Sequence, residues 1–164
     1  MTDQEQTVVV GLGELQVTRD SSVILTCLGL GSCVSLCAYD PVSKVAGMVH
    51  IVLPLSNGRS GEPSPKYADA AIPMLLEEMN KHGALMRRLI VKMVGGAQMS
   101  TAPGIGSIFE TGERNVKATK EILTESGITV KAADTGGTHG RTVRLFVDSG
   151  RVTVGTVGHS AREI

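Results

Sequence analysis

The side chains of this chain that could do covalent chemistry are concentrated between positions 26 and 54, in the stretch TCLGLGSCVSLCAYDPVSKVAGMVHIVLP. Cys27, Cys33 and Cys37 fall within eleven residues, and His50 follows Cys33 by 17 residues. Cysteines this close together can be metal ligands, a disulfide pair, small buried side chains, or a nucleophile served by a base. Their spacing and their neighbours bear on each of these four interpretations.

A shared metal ion and a disulfide both fit the spacing poorly. Zinc sites favour Cys pairs separated by two to four residues and joined to a second pair of Cys or His ligands. Here five residues separate the first two cysteines and three separate the second two. On one face of a strand, Cys33 and Cys37 would lie about 13 Å apart, too far for a disulfide or for one ion. We therefore predict no metal site, and Cys37 fits a small buried hydrophobe.

Cys33 differs from the other two cysteines because a glycine-rich turn precedes it. Consecutive backbone amides in a turn such as Gly29 to Ser32 can bind an anion, as an oxyanion hole requires, and Gly31 lets a substrate approach the backbone. A thiol is mostly protonated at neutral pH and needs a base. His50 is the candidate base, because pairing in a hairpin would return it beside Cys33. On this pattern alone, a buried histidine without a catalytic role remains the alternative.

Strand and helix patterns predict the elements that must position these residues. The first third of the chain is rich in β-branched residues punctuated by glycine, which predicts strands with a turn at Asp40. Apolar residues at helical spacing follow in 68–79 and 116–123, and Pro73 should kink or break the first helix. Strands close the chain, the last two as a hairpin. This order predicts a single domain over residues 1–164, a layered α/β sandwich with a mixed β-sheet and two main helices.

Composition and charge limit the classes of partner. Lys and Arg balance Asp and Glu at 16 each, and the chain has two Tyr, two Phe and no Trp. The balanced charge gives no sign of a basic protein, and aromatic rings for base stacking are scarce, so we predict no nucleic-acid partner. The turn GLGSCV lacks both the third glycine of a dinucleotide fingerprint and the Gly-Lys-Ser/Thr of a P-loop. Without a signal-peptide pattern or an apolar run of about 18 residues, we predict a cytoplasmic protein that does not insert into membranes.

The stretch LGLGSCVSLCAYDPVSKVAGMVHIVLP is similar to the signature of CheD, the chemoreceptor glutamine deamidase family of bacterial and archaeal chemotaxis. The resemblance spans nearly the whole chain, and it makes the Cys–His pair the favoured interpretation. Further segments agree with that family in order: GLGELQV near the start, KYADAAI at 66–72, VGGAQM at 94–99, GERNV at 112–116 and DTGGTHGRTVRLFVDSG at 134–150.

The resemblance implies an activity, a site and a fold. Members of this family convert glutamine side chains of methyl-accepting chemotaxis receptors to glutamate, and they use no cofactor. The family nucleophile matches Cys33 and the family histidine matches His50, so the oxyanion would rest on turn amides near Gly31, Ser32 and Cys33. The implied fold is an α/β sandwich distantly similar to the cytotoxic necrotizing factor deamidase toxins, which are cysteine hydrolases.

One position departs from the family pattern. The family usually has a threonine six residues before the nucleophile, where it orients the histidine, and this chain has Cys27 there. A thiol is a weak hydrogen-bonding group, and Thr26 should face the opposite side of the strand. Three alternatives follow: Cys27 makes a weak hydrogen bond, a bulge turns Thr26 round, or another group orients His50.

Two more residues are candidates for lining the cleft. Gln98, in GGAQM, follows a predicted strand end, and His139, in GGTHGR, lies in a glycine-rich turn. We expect both to contact substrate rather than to act as the base. Hydrogen bonding within its own turn is an equally good explanation for Gln98. The segment STAPGIGSIFETG, residues 100–112, is predicted to be a loop.

The resemblance also carries a second class of function. CheD proteins bind receptors and CheC-type phosphatases directly, so this chain could serve mainly as a non-catalytic adaptor. The altered position at Cys27 is the feature that keeps this alternative open. Selective labelling of Cys33 by a thiol probe would favour an enzyme, and equal or absent labelling of the three cysteines would favour an adaptor.

Overall fold

Two five-stranded β-sheets and two α-helices make up the fold of residues 4–57, 61–99 and 110–164, which are the parts of the chain that the computed structural model describes. A short 3-10 helix covers Met86–Arg88. The α-helices are α1 (Ala68–Lys81) and α2 (Thr111–Glu125). The strands are β1 (Gln6–Val9), β2 (Leu15–Thr18), β3 (Val23–Leu30), β4 (Val34–Asp40), β5 (Val45–Ile51), β6 (Ile90–Gly95), β7 (Val130–Thr135), β8 (Arg141–Phe146), β9 (Val152–Gly155) and β10 (Arg162–Glu163).

Both sheets are mixed. The first sheet has the strand order β1-β3-β8-β9-β10, and the second has the order β2-β5-β4-β6-β7. Each contains one parallel pair, β1 with β3 in the first and β6 with β7 in the second, and the remaining neighbours are antiparallel. The predicted α/β class and two main helices are confirmed, and the predicted hairpins are present as β4–β5 and β8–β9.

The predicted single mixed sheet is two sheets because of a turn near the start of the chain. The segment TVVVGLGELQVTR has the composition of one strand, but it divides at Gly11–Gly13, and Gly13 has a φ of 69°. The Glu14 carboxylate accepts a hydrogen bond from the Gly11 amide at 2.8 Å and closes the turn. The chain therefore places β1 in the first sheet and β2 in the second.

The second sheet lies between the helices and the first sheet. Every residue of β4 and β5 is buried, as expected for strands that are covered on both faces. Val34, Leu36 and Ala38 belong to the core shared with α1 and α2, whereas Cys37 and Tyr39 belong to the core between the two sheets. Alternate residues of β4 thus face different layers, and the candidate cysteines face the layer away from the helices.

The helices pack with the apolar faces that the sequence predicted. Of the kink or break predicted at Pro73, a break is wrong, because α1 continues through this residue, which lies on the exposed side of the helix. Gly83 and Gly127 follow the two helices with φ of 101° and 75°, values that favour glycine. In the described chain, no helix has the length and apolarity needed to cross a bilayer. Of the loop predicted over 100–112, residues 100–109 lie outside the described residues, and Thr111 and Gly112 belong to α2.

Candidate active site

The register of the β4–β5 hairpin places Cys33 and His50 on the same face of the second sheet. Ser35 is paired with His50 and Val34 with Ile51. Cys33 precedes Ser35 by two residues, and continued alternation places its side chain on the His50 side, at a diagonal position for which about 7–8 Å between Cα atoms is typical. This face looks into the core between the sheets, against which Cys33 packs. The hairpin brings together the residues predicted as nucleophile and base.

Cys33 is a free, partly buried cysteine at the end of the glycine-rich turn. Burial raises the pKa of its thiol above the ordinary value, so the thiol stays protonated at neutral pH unless a base removes the proton. No hydrogen bond joins Cys33 and His50 directly within the described residues. Such catalytic hydrogen bonds are often long in a free enzyme and shorten when substrate binds.

His50 is held by a backbone carbonyl rather than by a side chain. Its ring Nδ1 lies 3.0 Å from the carbonyl oxygen of Val10. A carbonyl oxygen only accepts, so Nδ1 carries a proton and donates it, which leaves Nε2 of the neutral ring as a proton acceptor. The His50 amide donates to the Glu14 carbonyl at 3.0 Å, and its carbonyl accepts from the Gly13 amide at 2.9 Å. The β1–β2 turn therefore fixes both the backbone and the ring of His50.

The position that departs from the family pattern points at the same carbonyl. Cys27 is fully buried, and its Sγ lies 3.6 Å from the Val10 carbonyl oxygen and 3.4 Å from Met48 Sδ. Burial raises the pKa of Cys27 to about 12, so the group is a thiol and a weak donor. The sequence left three alternatives for the group that orients His50: Cys27, Thr26 or another group. The contact observed is with another group, the Val10 carbonyl. Cys27 makes a weak hydrogen bond to that carbonyl.

Thr26 does not substitute for the family threonine. Its hydroxyl donates to the Ile24 carbonyl at 3.4 Å on its own strand. The irregularity in the pairing of β3 falls between Cys27 and Leu30, beyond Thr26. The bulge therefore leaves Thr26 facing away from Cys27, as alternation along a strand requires.

At the end of the glycine-rich turn, the carbonyl groups of Gly31, Ser32 and Cys33 all accept hydrogen bonds, whereas two of the amides have no acceptor among the described residues. The amide N–H groups of Ser32 and Cys33 donate to no acceptor within residues 4–57, 61–99 and 110–164. Gly95, with a φ of 119°, packs so closely on the Cys33 carbonyl that a side chain there would overlap it. Three donors hold the turn's carbonyl oxygens: the Ala97 amide to Gly31 at 2.8 Å, the Asn115 Nδ2 to Ser32 at 2.9 Å, and the Gly96 amide to Cys33 at 2.8 Å.

Gln98 and His139 lie on segments that flank this turn. The Gln98 amide donates to the Gly137 carbonyl at 2.8 Å, and its exposed side chain lines a cavity of about 260 Å³ together with Glu113. His139 is exposed, and its carbonyl accepts from Arg141 Nη1 at 3.3 Å. Neither side chain forms a hydrogen bond to Cys33 or His50 in the part of the chain that is described. Their assignment as substrate-contacting residues stays a prediction.

The third cysteine, the possible metal ligands and the largest described cavity lie apart from this site. Cys37 is buried, and burial raises the pKa of its thiol to about 12. Among the described residues, no three His, Cys, Asp or Glu side chains are placed to share a metal ion. A cavity of about 610 Å³ lies beside the start of α1, lined by Asp69 and Glu77 among others, and contains none of the candidate site residues.

Asn115 is the residue at this site that the sequence reasoning missed. It lies within the GERNV segment, which was noted only as a family motif. Its side chain on α2 is completely buried and reaches the carbonyl groups of Ser32 and Val52, both at 2.9 Å. The available signal was an asparagine on the buried side of a helix, where an unpaired amide is costly and a partner is expected.

Comparison with known proteins agrees with the resemblance seen in the sequence. A relative from Caldanaerobacter subterraneus subsp. tengcongensis, named probable chemoreceptor glutamine deamidase CheD, is 49% identical over 156 residues, covering 94% of this chain and 96% of its own. One from Thermotoga maritima, named chemoreceptor glutamine deamidase CheD, is 45% identical over 150 residues, 92% of each chain. The crystal structure of the Bacillus licheniformis hypothetical protein YfiH is similar with a TM-score of 0.47 and 12% identity, over 82% of this chain and 60% of that one.

The family model described as CheD chemotactic sensory transduction matches residues 52–156. This match covers well over half of the chain, and the relatives align with it over nearly its whole length. The chain therefore belongs to the CheD family.

Proposed function

We propose that this chain is a chemoreceptor glutamine deamidase that hydrolyses receptor glutamine side chains to glutamate and ammonia, with Cys33 as nucleophile and His50 as base. The observation that carries the proposal is the placement of Cys33 and His50 on one face of the hairpin, with the His50 Nδ1 proton held by the Val10 carbonyl. The Nε2 atom is then free to accept a proton from the thiol. The names of the relatives supply the substrate class.

In the first half of the reaction, His50 Nε2 takes the proton of the Cys33 thiol. The thiolate attacks the side-chain carbonyl carbon of the glutamine, a C–S bond forms, and the carbonyl oxygen becomes an oxyanion. The amides of Ser32 and Cys33, which donate to no acceptor among the described residues, are the donors available to that oxyanion. The intermediate collapses when the C–N bond breaks, and the His50 imidazolium gives its proton to the departing ammonia. A thioester remains on Cys33.

In the second half, water takes the place of ammonia. His50 removes a proton from the water as it attacks the thioester carbon, and a second oxyanion forms at the same amides. The C–S bond then breaks, glutamate is released, and the proton returns to the Cys33 sulfur. Because Cys33 and His50 end the cycle as they began it, no cofactor is needed for the balance of atoms.

The wider assignments follow from the same family membership. We propose that residues 1–164 form a single CheD-like domain that acts in the cytoplasm, with the layered cysteine-hydrolase fold of the deamidase toxins. The alignment of relatives over 94% of the chain supports one domain. The α/β layers around the Cys33 turn are compatible with that fold class.

The adaptor alternative loses its main support. It depended on Cys27, which replaces the residue expected to orient the histidine, but the Val10 carbonyl contacts His50 at 3.0 Å. Binding of a CheC-type phosphatase remains a separate proposal about partners. Gel filtration with a CheC protein from the same organism would test it, and co-elution is the expected result.

The decisive experiment is to incubate the protein with receptors of its own organism and to map glutamine-to-glutamate conversion by mass spectrometry. We expect conversion by the wild type and none by Cys33→Ala, which lacks the nucleophilic sulfur. The variant should still fold, because the change removes only the sulfur of a partly buried side chain. Cys37→Ala is the matched control: it should keep activity and lose modest stability as a buried small residue.

Two histidine variants separate the base from the substrate loop. His50→Ala should remove nearly all conversion, whereas His139→Ala should mainly weaken the use of substrate. Conversion by Cys33→Ala, or its loss in Cys37→Ala alone, would overturn the assignment of the nucleophile. Selective labelling of Cys33 by a thiol probe at neutral pH would separate an enzyme from an adaptor.

A further inference from the structure

We propose that Asn115 is a positioning residue that directs the amide N–H of Cys33 toward the oxyanion, an inference that deepens and rests on the proposed function. Asn115 lies on α2, and its side chain is fully buried. Its Nδ2 donates to the carbonyl of Ser32 at 2.9 Å and to the carbonyl of Val52 at 2.9 Å. The first carbonyl belongs to the residue before the nucleophile, and the second lies two residues after the base.

A side chain that bridges these two carbonyls must supply two donor hydrogens, and Asn115 supplies both from Nδ2. A hydroxyl donates once, and an ionised carboxylate donates nothing, so the amide NH₂ must face Ser32 and Val52. The Oδ1 of Asn115 is buried without a hydrogen-bond partner among the described residues. An unpaired buried acceptor is unfavourable. The two hydrogen bonds that Nδ2 donates, and not Oδ1, therefore account for an asparagine at this position.

Because the peptide is planar, the hydrogen bond from Asn115 to the Ser32 carbonyl also determines the direction of the Cys33 N–H. In a planar trans peptide, the C=O of Ser32 and the N–H of Cys33 point in opposite directions, and the described chain contains no cis peptide bond. Asn115 holds the Ser32 oxygen toward α2, so the Cys33 N–H points away from α2.

That direction is the side on which the chemistry would occur. α2 packs on the helix-covered face of the second sheet, whereas the Cys33 side chain packs against the opposite core, between the sheets. His50 shares that face with Cys33 through the hairpin register. The Cys33 amide is therefore aimed to the side of its own sulfur, where the oxyanion of an attacked carbonyl forms.

The second hydrogen bond of Asn115, from Nδ2 to the Val52 carbonyl, holds the chain next to the base through the same side chain. Val52 continues the chain directly beyond β5, which carries His50. A single buried amide thus links the turn of the nucleophile to the strand of the base. Small displacements at such a link are costly, because reacting atoms misplaced by about 1 Å can lose about 100-fold in rate.

The test compares Asn115→Leu, which keeps a similar volume and removes both donors, with Thr119→Val. Thr119 is the matched control: it lies one turn further along α2, is fully buried, and its hydroxyl has no partner in the described chain. We expect Asn115→Leu to lower kcat for receptor deamidation about 100-fold, with KM changed less than about two-fold. Thr119→Val should stay within about two-fold of the wild type.

Alkylation of Cys33 by iodoacetamide depends on the reactivity of the thiol but forms no oxyanion. Its rate therefore distinguishes a misdirected Cys33 amide from a thiol that has become less reactive. In Asn115→Leu, the alkylation rate should stay within about three-fold of the wild type while kcat falls. Equal losses in alkylation and deamidation, or a kcat within about three-fold of the wild type, would overturn the inference. If Asn115→Leu does not fold by circular dichroism, Asn115→Ser, which retains one donor, is measured by the same criteria.

A substrate-like aldehyde keeps this test independent of turnover. A peptide carrying the glutamine side chain as its γ-aldehyde forms a hemithioacetal with a thiol, and the new oxygen lies where the oxyanion would form. We expect its affinity to fall at least about ten-fold in Asn115→Leu and to be unchanged in Thr119→Val. A wild type that binds the aldehyde but deamidates no receptor would contradict the proposed function alone, whereas unchanged aldehyde affinity in Asn115→Leu would contradict the role of Asn115.

Discussion

At the residue scale, the orientation of the base depends on a backbone group. The Val10 carbonyl accepts from His50 Nδ1 at 3.0 Å and from Cys27 Sγ at 3.6 Å. Val10 is completely buried, and the Gly11 amide, which shares a peptide plane with the Val10 carbonyl, donates to the Glu14 carboxylate at 2.8 Å, so the carbonyl cannot easily rotate away. A fixed acceptor on Nδ1 selects the tautomer in which Nε2 is free. The hydrogen bond from Cys27 to this shared carbonyl is a contact through which the side chain at position 27 can act on the ring.

A first consequence is that deamidation activity should tolerate substitution of Cys27. We expect Cys27→Val, which is similar in shape but cannot donate, to deamidate receptor within about three-fold of the wild type. The change removes only a weak S–H···O contact, worth less than about 1 kcal/mol. The measurement is ammonia release under matched conditions, with Cys27→Thr as the hydrogen-bonding control. A ten-fold loss in the valine variant, restored by threonine, would show that the side chain and not the carbonyl orients His50.

At the scale of elements, the start of α2 packs unusually close to the chain that follows β6. A Cβ added at Gly112 would lie 2.6 Å from the Ala97 carbonyl oxygen and 2.7 Å from backbone atoms of Gly96. Gly96 has a φ of 66°, and a Cβ added there would lie 2.9 Å from the Gly112 carbonyl oxygen. The two glycines allow α2 to come near enough for the Asn115 side chain to reach the Ser32 turn.

This contact reverses the usual effect of a helix substitution. Glycine to alanine inside a helix ordinarily stabilises by about 1 kcal/mol. We expect Gly112→Ala to destabilise instead, by about 2 kcal/mol, because the added methyl group meets backbone that cannot move aside. Urea denaturation measures the change, and Lys117→Ala, on the exposed side of α2, is the control. An increase in stability would show that α2 can shift without loss, and deamidation by Gly112→Ala should then also be unaffected.

At the scale of the whole molecule, one buried carboxylate joins the hairpin of the site to the segment after α1. Asp40 ends β4 with a fully buried side chain, and Arg88 donates to it from Nη2 at 2.7 Å. Burial alone would raise the pKa of Asp40, but hydrogen bonds from Arg88 and from nearby amides outweigh it and hold the pKa well below its ordinary value. The amides are those of Leu85 at 2.9 Å, Val42 at 2.9 Å and Ser43 at 3.3 Å.

The depressed pKa of Asp40 makes stability depend on acid pH. A carboxyl whose folded pKa lies below its unfolded value contributes stability above the unfolded pKa, near 4, and loses it as the pH falls through the folded pKa. We expect Asp40→Asn to lower the free energy of unfolding by about 2 kcal/mol at pH 7. The difference from the wild type should shrink progressively below about pH 4.

Urea denaturation at several pH values between 7 and 2 would measure this difference. Asp148→Asn, at an exposed carboxylate, is the control and should change stability little at any pH. A difference between wild type and Asp40→Asn that is the same at pH 7 and at pH 2.5 would contradict the role of the ionised carboxylate.

The sequence by itself determined the features that depend on local pattern. The strand-like composition of β4 and β5, and the turn after Asp40, predicted the hairpin that brings Cys33 and His50 to one face. Apolar spacing and the glycines that follow predicted both helices. Motif similarity predicted the family. These features survive folding because strand alternation, helical spacing and turn chemistry involve residues close together in the chain.

Only the tertiary structure decided how the site is held. The turn at Gly13 places two strands of similar composition in two different sheets. The carbonyl that contacts His50 comes from Val10, 40 residues earlier. The amide that holds the Ser32 turn comes from Asn115, 83 residues later. Every residue carries the same backbone carbonyl, so side-chain identities do not show which one meets a distant ring or amide. That choice follows from the packing of the two sheets and α2 against one another.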